Sequence, residues 1–326
     1  MIYEDRIYGK AKIEHPLVLQ LINHPLMTRL KGVNQAGYYK PFFGKDLYDR
    51  FEHSVGVYLL LRKFGAPFEE QIAGLIHDIS HPVFSHCIDY ALENGSGEKQ
   101  SHQDSIFANY IRKSDLPDLL SEYGININYL LNEENFPLKE KDLPDLCADR
   151  LDYSLRNAIS LGVNSINQVN QFISSLQTKD VKWVFSSFSV AKKYARTFRY
   201  MNKKYYCGWK SALMFASVGE LVNYCLRKGY LTQKDLFTTD HEILKKVKTH
   251  LDDQKLLTLW ERMNNKVEVQ KDPERYQKKV ACKSRIVDPY FKNGKKILRL
   301  SKAYSDWNKT VEKEMKPKRY FIRYFE

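Results

Sequence analysis

The sequence predicts a mainly α-helical fold, in which a helical core is followed by a small mixed α/β C-terminal lobe. Three observations carry this expectation: apolar residues recur near helical spacing through 53–64, a compact apolar run over 69–79 is closed by Pro82, and β-branched and aromatic residues alternate with charges from 264 onward. In 53–64, Val55, Leu59 and Leu60 mark the helical spacing, and Val57, Tyr58 and Leu61 widen the apolar surface, so this helix should be largely buried. The 69–79 segment opens on Glu69 and Glu70, which favour a helix N-terminus, and continues through Ile72, Ala73, Leu75 and Ile76. Pro82 cannot continue a helix, so this one should end near Ser80, with His77 and Asp78 in its last turn. The composition of 94–101, NGSGEKQS, predicts a loop, and further helices are expected at 102–113, 145–161, 187–206 and 210–228. Within 264–326, patches such as VEV and RYFIRYF predict a few strands, and Lys271-Asp272-Pro273 and Asp288-Pro289 mark turns. The boundary between the helical core, 1–235, and a basic C-terminal lobe, 236–326, is set by these shifts in pattern.

Composition narrows the class. At 326 residues, 43% hydrophobic and 28% charged, the chain can bury a sizeable core, and its length suits one large domain with an appended lobe. No apolar run approaches about 18 residues, so no membrane-spanning helix and no membrane partner are expected. The start, MIYEDRIYGKAKIEHP, has no long apolar stretch behind a basic end and does not read as a secretory signal. Five cysteines, widely spaced and without a CxxC pair, fit reduced thiols in a cytoplasmic protein. The net charge of +13 is uneven: residues 241–326 hold 23 Lys+Arg against 12 Asp+Glu, whereas the remainder holds 29 against 27. A tail so basic can meet nucleic acid or steer polyanionic nucleotides, or it can be a solvated face.

The chemistry concentrates in RFEHSVGVYLLL (50–61), IAGLIHDISHPVFSH (72–86) and DLCADRLDY (145–153). Imidazole nitrogens and carboxylate oxygens are ligand types for a divalent transition ion, and His53, His77, Asp78 and Asp149 supply them from three separated segments. Taken alone, His53 reads more readily as a helix-start or core histidine, and Asp149 as an ion-pair partner of Arg150 or Arg156. Asp78 is harder to explain without a partner, because burying a carboxylate behind a run of apolar residues is costly. His81, His86 and His102 form a further layer suited to charge stabilisation or proton donation, with plain structural roles as the competing reading.

RLKGVNQAG (29–37), RFEHSVGVYLL (50–60), IAGLIHDISHPVFSH (72–86), SHQDSI (101–106) and DRLDYSLRN (149–157) occur in the order seen in HD-domain deoxynucleotide triphosphohydrolases, and the chain resembles that family over about 1–230. KSRIVDP (283–289) and ILRLS (297–301) look like its C-terminal lobe. The resemblance implies an HD-domain helical core and one divalent metal ion (Fe, Mn, Ni, Zn or Mg) on His53, His77, Asp78 and Asp149. It also implies a reaction centre lined by His81, His86 and His102. Gln35 and Arg50 would contact sugar and phosphates, Arg150 phosphate, and Tyr153 the deoxyribose. Arg199 and Tyr206 would lie on a base-side helix. Mg would accompany the substrate triphosphate, and relatives of this kind associate as dimers or tetramers.

The chain also departs from the family pattern. Asp46 and Asp49 precede the first histidine, Gln103 follows His102 where an acid is frequent, and Asn157 replaces a frequent Asp. The expected activity is hydrolysis of a deoxynucleoside triphosphate to deoxynucleoside and triphosphate. The alternatives are an HD phosphohydrolase acting on a monophosphate, a cyclic or oligonucleotide or a guanosine polyphosphate, and a nucleic-acid-binding regulatory protein that keeps the fold.

Overall fold

Asp49 starts the central helix, because its carboxylate accepts the Glu52 amide at the uncovered N-terminus of Arg50–Lys63. Eleven of that helix's residues, Arg50 to Leu61 except Glu52, are buried, as its wide apolar surface predicts. A computed structural model describes residues 1–325. In it the central helix packs against Phe68–Ile76 on one side and Ala148–Ser160 on the other. The second helix ends at Ile76, short of the expected Ser80, and His77 and Asp78 lie in the turn just beyond it. His77 Nδ1 bonds the Gly74 carbonyl at 2.8 Å, which draws its ring back over the last helical turn.

One apolar cluster joins the N-terminal segment, through Leu17, Val18 and Leu21, to Val55, Leu59, Ile72, Leu75 and Ile76. A second joins Val57, Leu60 and Leu61 to Leu151, Leu155, Trp183 and Phe198, and takes Ile286, Val287, Phe291 and Trp307 from the C-terminal part. A third surrounds the long helix Trp209–Lys228, with Phe84, Cys87, Ile88, Leu259 and Ile322. All five cysteines are buried free thiols.

Strands lie where the chain was expected to be helical as well as in the tail. Ile2–Asp5 pairs with Gly9–Lys12 in an N-terminal hairpin. Leu176–Lys179 and Lys182–Phe185 form another, extended by the tail strands Tyr290–Asn293 and Lys296–Arg299; the contact between Lys182–Phe185 and Tyr290–Asn293 is parallel. Glu268–Lys271, Lys318–Phe325 and Lys278–Cys282 make a separate antiparallel sheet, in that order. The helix expected over 187–206 is α-helical for Phe188–Met201 and then widens into a π-helical turn, Asn202–Tyr206. Such turns re-aim side chains, and this one turns Tyr205 and Tyr206 toward a pocket described below. No helix among the described residues is long and apolar enough to cross a membrane.

Candidate metal centre and substrate pocket

The three helix ends deliver their chemistry to one place. His53, His77 and Asp149 each offer a ligand atom within 4.8 Å of the others. His77 Nε2 lies 3.5 Å from oxygens of both Asp78 and Asp149, and His53 Nε2 lies 2.9 Å from Asp149 and 4.0 Å from Asp78. His53, His77 and Asp149 thus share one point, and Asp78 borders it, with Oδ1 toward His77 and Oδ2 toward His53.

Their outer contacts fix how they face it. His77 donates Nδ1–H to Gly74, and its buried Nε2 has no hydrogen-bond partner. His53 Nδ1 meets Asp152 Oδ1 at 2.7 Å, which leaves Nε2 for the centre. Arg50 donates to Asp78 Oδ2 at 2.5 Å, to Ser85 Oγ at 2.7 Å and to the Gln35 carbonyl at 3.2 Å. Phe84 and Ser85 both adopt left-handed backbone, unusual for such residues, and this turn carries the Ser85 hydroxyl to Arg50. Asp240 stabilises the turn by accepting the Phe84 amide at 2.7 Å and the Asn34 amide at 2.9 Å.

Electrostatics follow from this packing. Burial alone would lower His53, but hydrogen bonds to Asp149 and Asp152 outweigh it and raise the ring to about 9. Burial opposes charge on Asp78 too, yet Arg50 and His77 bring it below the usual carboxylate range. Asp149 is held well below that range by His53 and His77 despite its own desolvation. Two imidazoles and two ionised carboxylates with an orphaned buried nitrogen fit a divalent transition ion, which would replace the protons now shared among them.

A second group, Glu140, Cys147 and Asp149, also lies within 4.8 Å. It already holds a cation: Arg150 donates to Cys147 Sγ at 3.1 Å and approaches Glu140 to 3.5 Å. The same guanidinium donates to the Lys141 and Asp145 carbonyls at 3.0 and 2.6 Å. Arg150 thus braces the 140–147 loop behind Asp149 through both terminal nitrogens, while its buried Nε has no partner.

His81 comes within 3.7 Å of Asp78, and its ring stands 5.2 Å from that of His86. His86 faces Asp89 at 3.5 Å, and the same carboxylate accepts the His102 backbone amide at 3.0 Å. His102 is only partly buried, and it joins the layer through Asp89 rather than through the metal ligands. Gln103 gives its amide to the His77 carbonyl and to Ser80 Oγ, at 2.8 and 2.9 Å.

Beside the centre opens a pocket enclosing about 640 Å³ of space free of atoms, part of it continuous with solvent. Arg50 and His86 line the side toward the metal centre, and Tyr39, Tyr153, Tyr206 and Phe215 supply aromatic walls. Gln35 Oε1, Tyr39 OH and Asn157 Oδ1 are buried there without hydrogen-bond partners. Arg199, by contrast, bonds Glu314 at 3.3 Å and does not line the pocket, while Tyr206 does.

The sequence reading passed over Asp152, Ser85, Asp89 and Arg285. For Asp152 a signal was present: Asp149, Asp152 and Arg156 stand at i, i+3 and i+7 in DRLDYSLR, on one helical face. Nothing local marked Arg285 as a pocket residue.

A partly buried cluster of His53, His77 and Asp149, bordered by Asp78 and lying beside a polar-and-aromatic pocket, fits a metal-dependent hydrolase. Residues 50–157 match the HD domain. The chain is 30% identical over 290 residues to YdhJ, an uncharacterized protein of Bacillus subtilis, covering 89% of this chain and 88% of that one. It is 34% identical over 245 residues to the metal-dependent phosphohydrolase cns2 of Cordyceps militaris, covering 73% and 70%. The deoxynucleoside triphosphate triphosphohydrolase SAMHD1 of Gallus gallus is 29% identical over 160 residues, 43% of this chain and 25% of that protein. The structure of a hypothetical protein from Aquifex aeolicus superimposes with a TM-score of 0.75 over 99% of this chain and 96% of that one, at 18% identity. The chain belongs to the HD-domain family, as a metal-dependent phosphohydrolase; its likeness to the dNTPase members is distant.

Proposed function

We propose that this phosphohydrolase converts deoxynucleoside triphosphates to deoxynucleoside and inorganic triphosphate, with His53, His77, Asp78 and Asp149 holding one divalent ion. The observation that carries the reading is the pocket beside the centre. Its partnerless amide and phenol oxygens, on Gln35, Asn157 and Tyr39, suit the hydroxyls of a sugar, and its tyrosine and phenylalanine rings suit a sugar face and a base.

A divalent ion held by these residues would supply Lewis acidity toward a phosphoryl oxygen and would acidify water. The chain's own residues do the rest. Arg50 keeps Asp78 ionised and aimed, and Asp152 keeps the His53 ring turned inward. Burial and nearby cations hold His81 well below its ordinary range, and burial, offset in part by Asp89, leaves His86 at about 4. Both environments favour the neutral ring, and an anionic phosphate beside them would oppose that preference. Its charge favours the protonated form, which can donate to the departing oxygen. Asp89 orients His86 and anchors the start of the His102 helix. Tyr153 stands against the deoxyribose.

Incubating metal-loaded protein with each dNTP and identifying products tests this. Inorganic triphosphate with free deoxynucleoside is the expected outcome; orthophosphate alone, or no turnover of any dNTP, rejects it. A second reading, a phosphate ester other than a dNTP, is favoured by Gln103, which puts an amide tied to His77 and Ser80 where a carboxylate is frequent. Nucleoside monophosphates, cyclic and oligonucleotides and guanosine polyphosphates in the same assay separate the two.

A further inference from the structure

The C-terminal segment reaches the pocket through Arg285, and Lys283 stands two residues before it; neither charge has a counter-ion in contact. Among the described residues, neither has a carboxylate oxygen within 4.0 Å. Arg285 lines the pocket, where its guanidinium donates to Gln100 Oε1 at 2.8 Å and to the Lys283 carbonyl at 3.4 Å, so most of its five donors stay available. Lys283 is partly buried, and among the described residues its ammonium makes no hydrogen bond or ion pair.

The segment is also held firmly in place. The Lys283 amide bonds the Gly97 carbonyl at 3.0 Å, and the Arg285 amide bonds Asn202 Oδ1 at 2.8 Å. Asn202, fully buried at the start of the π-helical turn, donates in turn to Ser284 Oγ at 3.0 Å. The turn that points Tyr205 and Tyr206 into the pocket therefore also fixes the backbone carrying both cations. Desolvation first, then Arg285, pushes Lys283 down to about 8, with Asp104 and Glu140 opposing from longer range. Two like charges in a half-buried place, without an acid in contact, are a site prepared for an anion.

The cations expected for phosphate are otherwise engaged. Arg150 is turned to its own loop, and all three nitrogen groups of Arg50 have protein acceptors. We infer that Lys283 and Arg285 form a polyphosphate subsite, which takes the part of the substrate's phosphate chain that does not lie on the metal centre. This rests on the nucleotide reading above and deepens it: the substrate carries several phosphates, and the C-terminal segment is the part of the chain that recognises them.

The test is binding of inorganic triphosphate and of orthophosphate to the full-length, chelator-treated protein, by calorimetry at fixed ionic strength. Triphosphate should bind at least about tenfold more tightly than orthophosphate. Lys283→Ala and Arg285→Ala should each weaken it by about 10- to 100-fold, the scale of one or two charge-assisted hydrogen bonds. Lys283→Arg should keep most of the affinity, and Lys295→Ala, on the exposed tail hairpin, should keep all of it. If Arg285→Ala fails to fold for want of its Gln100 bond, Lys283→Gln serves as the reporting variant. Equal affinity for the two anions, or wild-type triphosphate affinity in both Lys283 and Arg285 variants, overturns the inference. Because no turnover is read, triphosphate binding without dNTP hydrolysis would sink the proposed reaction alone. Hydrolysis of dNTPs indifferent to both substitutions would sink the subsite alone.

Discussion

His53 can present one nitrogen to the metal centre only because the other is held, and Asp152 holds it at 2.7 Å. The carboxylate also accepts Tyr8 OH at 2.9 Å and the Arg156 guanidinium at 2.8 and 3.0 Å, so its own position is determined from three directions. Asp152→Asn keeps the size of the side chain and removes the charge that selects the His53 tautomer. Metal affinity should fall about 10- to 100-fold, measured by competition against a chromogenic chelator, with little change in helical content. Unchanged affinity would show that Asp152 only packs. The pair formed by Arg50 and Asp78 is the matching device on the other side of the centre.

At the scale of elements, the junction between the central helix and Ala148–Ser160 is built on a buried charge cluster. Arg156 is fully buried between Asp5, Asp152 and Glu52, at 3.1, 2.8 and 2.7 Å. Gly56 permits this: a Cβ there would stand 2.0 Å from an Arg156 nitrogen and 2.3 Å from Asp152 Oδ2. Arg6 also meets Glu52 and His53 meets Asp152, but removing Arg156 leaves Asp5 and Asp152 without the guanidinium between them, away from water. Arg156→Met should therefore cost about 3–5 kcal/mol, read as a lower urea midpoint at unchanged slope. A loss under about 1 kcal/mol would mean that the acids simply take up protons. This junction fixes the distance between His53 on one helix and Asp149 on the other, so the substitution should weaken the metal centre as well.

At the scale of the whole molecule, the C-terminal residues are part of the core that carries the active site. Trp307 is almost fully buried among Ile286, Val287 and Phe198 and donates its indole N–H to the Val287 carbonyl at 3.0 Å. Trp307→Ala should cost about 3–5 kcal/mol. It should also loosen the segment ahead of it, visible as faster amide exchange at 283–287. Exchange confined to 300–325 would instead mark the tail as an independent unit. The tail's excess charge is partly matched within the fold: Glu314 takes Arg199, Lys203 and Lys318, Glu220 takes Arg262 and Lys278, and Asp272 takes Arg275 and Arg323. Buried Glu314 in particular turns three cations into a structural clasp.

The sequence by itself determined the helices around the centre and the residues that meet there. Apolar periodicity, Pro82 and the His77-Asp78 doublet are local features, and a helix end follows from chemistry within a few residues of it. The Asp149, Asp152 and Arg156 face is legible in the same way, from spacing along one helix. The tertiary structure decided the rest. Whether Arg150 faces a phosphate or its own loop depends on how 140–147 folds back, and the strands at 176–185 gain partners more than a hundred residues away. Arg285 reaches the pocket, with Lys283 two residues before it, because a π-helical turn and a distant glycine carbonyl hold their backbone there. Such placements are set by contacts far apart along the chain, and no local pattern of residue types encodes them.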